Sequence, residues 1–117
     1  MAIDYTGTFS ITAIPVGAAK GKLDLLRVLD TQTGMVYNIY PEGQAAQCTV
    51  GATVSIYFRL INDGTAEGTC YVKFTRVGGG EAYFSRLLAV GAYVDDGFTL
   101  VMPNATVNYN IEVGHLT

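Results

Sequence analysis

The sequence predicts an all-β chain folded as one antiparallel β-sandwich of eight or nine strands. Three observations carry that prediction. Apolar and polar residues alternate with period two in run after run, and no window holds a helical period. Turn signals rich in Gly, Asn and Asp punctuate the runs every ~8–12 residues, the spacing of a sandwich or small barrel. Half of the 117 residues are hydrophobic and only 15% are charged, against a typical ~25%. A chain of that length and composition buries one real core and is too apolar to stay disordered.

The elements follow in order. Over residues 5–13, Phe9 and Ile11 alternate with Thr8, Ser10 and Thr12. Residues 23–29, "LDLLRVL", are short between Gly21 and Gly34, too short for a helix, and read as a strand. Residues 35–40 form a short aromatic strand, and residues 47–50 another short one. Over residues 53–61, Val54, Ile56, Phe58 and Leu60 share one face, with Thr53, Ser55, Tyr57 and Arg59 on the other. Cys70, Val72 and Phe74 alternate with Tyr71, Lys73 and Thr75. Residues 83–90 and 98–102 add two more runs. In the last, Val107, Tyr109, Ile111 and Val113 face away from Thr106, Asn108, Asn110 and Glu112. Because side chains alternate along a strand, each run has one buried face and one that meets solvent or a partner. The expected core is Phe9, Ile11, Val54, Ile56, Phe58, Leu60, Val72, Phe74, Leu100, Val107, Tyr109 and Ile111.

The punctuation agrees. "DTQTG" at 30–34 and "GGGE" at 78–81 read as hairpin turns, and "NDGTAEG" at 62–68 as a longer loop. Glycine is favoured there because the backbone turns to positive φ. Asp95, Asp96 and Gly97 read as an acidic turn. "PVGAAKG" at 15–21 is the softest segment and leaves two readings open: the first strand crosses between the sheets of a single domain spanning 1–117, or residues 1–15 carry an exchangeable N-terminal strand that hangs on a neighbouring molecule. No basic start with an apolar run marks a signal peptide, and no stretch is long and apolar enough for a transmembrane helix.

From Val50 to His115 the pattern resembles the CARDB-like group of immunoglobulin-like sandwich domains, common in archaeal and bacterial cell-surface proteins. Asn62, Gly64, Thr65 and Ala66 match that group's loop between two core strands, and Val90 with Gly91 matches its turn before the penultimate strand. The ending "FTLVMPNATVNYNIEVGH" looks like the last hairpin of small modules in archaeal and viral surface proteins. The resemblance implies an immunoglobulin-like fold. Residues 1–47 have no counterpart in it.

The composition excludes most chemistry. One His, two Cys and no Trp leave no ligand set for a structural metal, and Ser10, Ser55 and Ser85 have no base. His115 stands alone near the end of the chain. Asp95, Asp96, Glu42, Asp63 and Glu67 lack calcium-loop spacing. The net charge is −3 with scattered basic residues, against a nucleic-acid partner. No catalytic, cofactor-binding or metal residue is expected, and no enzyme. Cys48 and Cys70 fall on apolar phases and leave two readings open. They are buried free thiols, or one disulfide closing a loop of about 22 residues and worth ~3 kcal/mol if unstrained. Asn104-Ala105-Thr106 is a glycosylation sequon in a turn.

What remains is the surface. Eight tyrosines and few charges make it large, amphipathic and poorly defended against association. The expected contact residues are Phe9, Ile11, Tyr37, Tyr40, Tyr57 and Tyr71. The sequence therefore points to a non-catalytic structural module of an extracellular assembly, with copies of itself or other assembly proteins as partners. A virion capsid, decoration or fibre protein comes first, and a cell-surface filament subunit second. No membrane insertion is expected. The alternative is a carbohydrate- or ligand-binding sandwich, which a row of aromatics along a groove would favour.

Overall fold

Residues 6–11 and 17–116 are described by the computed structural model of the chain. They contain no helix and seven strands: β1 (Gly21–Asp30), β2 (Val36–Tyr40), β3 (Thr53–Asn62), β4 (Gly68–Arg76), β5 (Glu81–Leu88), β6 (Tyr93–Val101) and β7 (Tyr109–His115). Every pairing is antiparallel. One sheet has four strands in the order β2-β1-β3-β6, and the other has three in the order β5-β4-β7.

Seven strands replace the expected eight or nine, and two segments account for the difference. Residues 6–11 alternate as a strand should but join neither sheet. The ends of that expected strand, and the start of the soft segment at 15–16, lie outside the described residues. Residues 47–50 are irregular because Thr49 spends its N–H and hydroxyl on the Asp30 carboxylate instead of a ladder. One strand is longer than expected. Asp95, Asp96 and Gly97 are not a turn; they sit mid-strand in β6, opposite Arg59, Phe58 and Tyr57 of β3. Gly97 is there because a Cβ would run into the Ile56 carbonyl, a close backbone approach that glycine alone allows in a strand.

The sheets pack face to face through the predicted alternation of β3 and β4. Val54, Ile56, Phe58, Leu60, Cys70, Val72 and Phe74 are buried together with Leu26 and Leu88. Phe58 is the hub of an aromatic cluster, its ring 5.4 Å from Phe74 and 4.8 Å from Phe84. Phe98 joins at 5.1 Å from Phe74. The expected core is corrected at its margins. Leu100, Val107 and Tyr109 are only half-buried, Ile111 is 45% exposed, and Phe9 and Ile11 are 90% and 87% exposed.

Two buried polar side chains tie the loops to this core. Asn62, at the end of β3, accepts from the N–H groups of Lys20 (3.1 Å) and Gly64 (2.9 Å), and its amide donates to the carbonyls of Ala66 and Leu88 (2.9 Å each). Asp30, at the end of β1, accepts four bonds: from Gln32 N–H (2.9 Å), Thr33 N–H (3.4 Å), Thr49 N–H and the Thr49 hydroxyl (2.9 Å each). Among the described residues no buried side-chain polar atom lacks a partner, as buried polar groups require.

Candidate functional site

The two sheets do not match in width, and the mismatch falls at one side. Across the interface β7 lies over β1, β4 over β3, and β5 against β6. The fourth strand of the larger sheet, β2, shows no comparable approach to the other sheet among the described residues, although its Ile39 packs against the core. The position that would cover it is the one beside β7. At one end β7 is pinned, because the backbones of Gly21 and Gly114 meet so closely that a Cβ at Gly21 would strike the Gly114 carbonyl. Toward Tyr109 no such backbone contact holds, and among the described residues no strand pairs with this edge.

The register of β7 shows what that edge offers. Leu116 N–H donates to the Thr69 carbonyl, and the Asn108 carbonyl accepts from Val77 N–H. Even-numbered residues of β7 therefore turn their main chain toward β4. Main-chain direction alternates along a strand, so Tyr109, Ile111, Val113 and His115 turn theirs away from β4. Their side chains are inward nonetheless, since Ile111 and Val113 pair with the buried Phe74 and Val72. Ile111 thus has the phase of a core residue and the exposure of a surface one. Main-chain groups without a ladder beside half-covered apolar side chains are what a sheet shows where a strand is missing.

The other edge at this side is occupied. Asn38 of β2 donates its N–H to the Gln44 side chain and accepts from Gln44 N–H. Gly43 N–H donates to Ile39, and the Tyr37 hydroxyl to Gln47. Residues 43–47 thereby lie along β2. Ile39, Val28 and Cys48 pack against the core behind it.

The expected contact residues divide between these surfaces. Phe9 and Ile11 stand out on the N-terminal segment, and Tyr37 and Tyr40 lie on β2, Tyr40 exposed. Tyr57 lies on the outer face of the four-stranded sheet. It borders a concavity of about 690 Å³ lined by Leu25, Leu29, Arg27, Arg59, Asp95 and Gly97 among others. There Arg59 grips Asp95 in a two-point ion pair (2.7 and 3.0 Å) and lies 4.1 Å from the Tyr93 ring centroid. The bond from Arg59 holds the Asp95 carboxyl below its ordinary range and raises Arg59 in turn. Tyr71 lies on the outer face of the other sheet, stacked on Tyr83 at 5.8 Å, with its hydroxyl donating to Glu112 (3.1 Å). That bond pushes the Tyr71 hydroxyl up. The structure brings together none of Tyr37, Tyr57 and Tyr71 as one aromatic row; they belong to different surfaces.

Cys48 and Cys70 are free thiols, the first half-buried and the second buried in β4. Burial pushes both thiols up, with the Asp30 charge adding to the effect at Cys48. Asn104 is exposed in a bend between β6 and β7. Sequence reasoning missed the β7 edge, because strand order and facing are long-range facts. A signal existed in the alternating residues 5–13, a strand with no hairpin partner beside it.

No family model, curated protein or solved structure matches the chain.

Proposed function

We propose that this protein is a non-catalytic structural subunit that assembles with copies of itself outside the cell, as a virion component or a surface filament. The observation that carries the reading is the N-terminal segment. Phe9 and Ile11 share one strand phase and are almost fully exposed, on a chain whose long axis is 93 Å against 25 and 22 Å across. Two large apolar side chains held in water cost roughly 1.5–3 kcal/mol each relative to burial. A second copy supplies the apolar surface that relieves that cost. Donor segment and acceptor body are different surfaces of one chain, so the contact is heterologous and propagates as an open fibre or filament wherever its rotation does not close a ring. Within the extracellular class this favours a virion fibre or surface filament over a closed shell. The immunoglobulin-like reading of the fold fits the same picture, since two antiparallel sheets over one core are its architecture.

The test is light scattering on the full chain and on the Phe9→Asp/Ile11→Asp variant, from low to high micromolar concentration at low and high salt. Growth of the wild type in both salts, with loss in the variant, is the expected result. A wild-type protein that stays monomeric in both removes the reading.

A second reading rests on the concavity over β1, β3 and β6. Its volume suits a small ligand, and Tyr57, Arg27 and the Arg59–Asp95 pair supply stacking and polar groups. A monomeric protein that binds saccharides in titration calorimetry would put this reading first.

A further inference from the structure

We infer that the free edge of β7 accepts residues 6–11 of a second copy as an added strand, so that the three-stranded sheet becomes four-stranded and covers β2. The inference rests on the self-assembly reading and gives it an address. Four observations meet at this edge. Among the described residues no strand lies beside β7 on its outer edge, and β2 makes no contact with the other sheet comparable to those of β1, β3 and β6. The odd-numbered residues of β7 turn their main-chain donors and acceptors outward, which supplies the ladder for an incoming strand. Beneath that ladder Ile111 is inward-facing and 45% exposed, a seat with no occupant of its own. The segment that fits is on the same chain. Phe9 and Ile11 are two residues apart on one face, as Ile111 and Val113 are on theirs, so both knobs fall on the core side when the strands pair.

The exposure of Phe9 and Ile11 favours a second copy over the chain's own edge. Ala18 N–H donates to the Thr65 hydroxyl (3.3 Å) and Thr65 N–H to the Ala18 carbonyl (2.9 Å); Asp63 N–H donates to the Lys20 carbonyl (2.8 Å). These bonds fix residues 18–20 against the β3–β4 loop, at the pole where Gly21 and Gly114 close the sandwich. Phe9 and Ile11 touch almost nothing of the described residues. Chains linked by such a strand stand head to tail, each donating at one pole and accepting along one side.

The test uses full-length protein throughout. Phe9→Asp/Ile11→Asp blocks the donor. Ile111→Pro blocks the acceptor, because the Ile111 N–H points away from β4 and its loss removes no bond of the monomer's own ladder. Ile111→Asp is the second acceptor variant, and a thermal melt shows that each is folded. Neither kind should polymerise alone. Mixed, they should form one-to-one pairs and stop, since a single donor and a single acceptor remain. In the wild-type polymer the amides of Ile111 and Val113 should exchange at least ~100-fold more slowly than in the donor-blocked monomer, while Glu112, already bonded to β4, changes little. If folded acceptor-blocked variants still polymerise, self-assembly stands and the β7 address is wrong. If the wild type stays monomeric, the self-assembly reading fails and takes this inference with it. If Ile111 is already protected in the donor-competent monomer and the monomer does not grow, the tail fills its own edge and the inference is overturned.

Discussion

Asn62 shows how much one side chain can hold together. A sequence reading assigns it a turn, on the grounds that Asn bonds its own backbone nearby. The structure gives it four partners, drawn from the stretch before β1, its own loop and the end of β5. The turn was legible because it is local; the hub was not, because Lys20 and Leu88 are distant in sequence. Asn62→Ala should therefore lower stability by several kcal/mol in urea titration, at roughly 1–3 kcal/mol for each buried group left unpaired. Asp30 plays the same part at the other end of the sandwich, with a charge. The N–H of Thr49, then its hydroxyl and the N–H groups of Gln32 and Thr33, hold its carboxyl below the ordinary value of 3.8 despite burial. A folded-state value below the unfolded one stabilises the fold above the unfolded value, and that contribution is lost as pH falls through the folded value. Stability should be level from neutral pH down to about pH 5 and decline below about pH 4. Asp30→Asn should be less stable at pH 7 and should flatten part of that acid decline. A variant as stable as the wild type at pH 7 would contradict the assignment. The thiols give a third residue-scale outcome. Under denaturing, non-reducing conditions alkylation should add two labels per chain. In the native state Cys70, fully buried, should react far more slowly than Cys48.

At the scale of elements, the strands that alternate cleanly and lie mid-sheet were legible within a residue or two. β3 and β4 owe this to a physical cause: each is paired on both sides and buried on one face, so its sequence must alternate. β6 was half-legible. Its Asp95-Asp96-Gly97 stretch has the composition of a turn, yet Arg59 across the ladder gives Asp95 a strand partner and close packing gives Gly97 a place. Pair partners overrode local propensity there, as sheet context commonly does. The same distinction between buried and edge strands sets mutational cost. Phe58→Ala opens the centre of the aromatic cluster and should cost about 3–5 kcal/mol. Ile111→Ala, on the same kind of inward phase but half exposed, should cost the monomer about 1 kcal/mol or less. A large monomer penalty at Ile111 would mean that the β7 edge is already filled.

For the molecule as a whole, size is the most direct readout. A compact chain of 117 residues has a radius of gyration of about 13 Å, whereas the structure has one of 22.8 Å and a 93 Å long axis. Small-angle scattering of the donor-blocked variant, which cannot assemble, should give a radius well above ~13 Å, since its tail has no seat. A compact value would show the tail folded against its own body. Salt then separates the forces that join the copies. The donor segment from Thr6 to Ile11 carries no charge, and among the described residues the ion pairs, Arg59–Asp95 and Lys73–Glu112, lie within one chain. Raising ionic strength screens charge–charge attraction over a few ångströms but leaves main-chain bonds and apolar burial in place. The polymer should therefore survive from 0.05 to about 1 M salt and yield to dilution or urea, because assembly that binds only the folded chain stabilises it by mass action. Its melting temperature should rise with protein concentration for the wild type and stay fixed for the Phe9→Asp/Ile11→Asp variant. Dissolution by salt alone would instead place the contact on the charged outer faces, around Arg59 or Lys73, and away from β7.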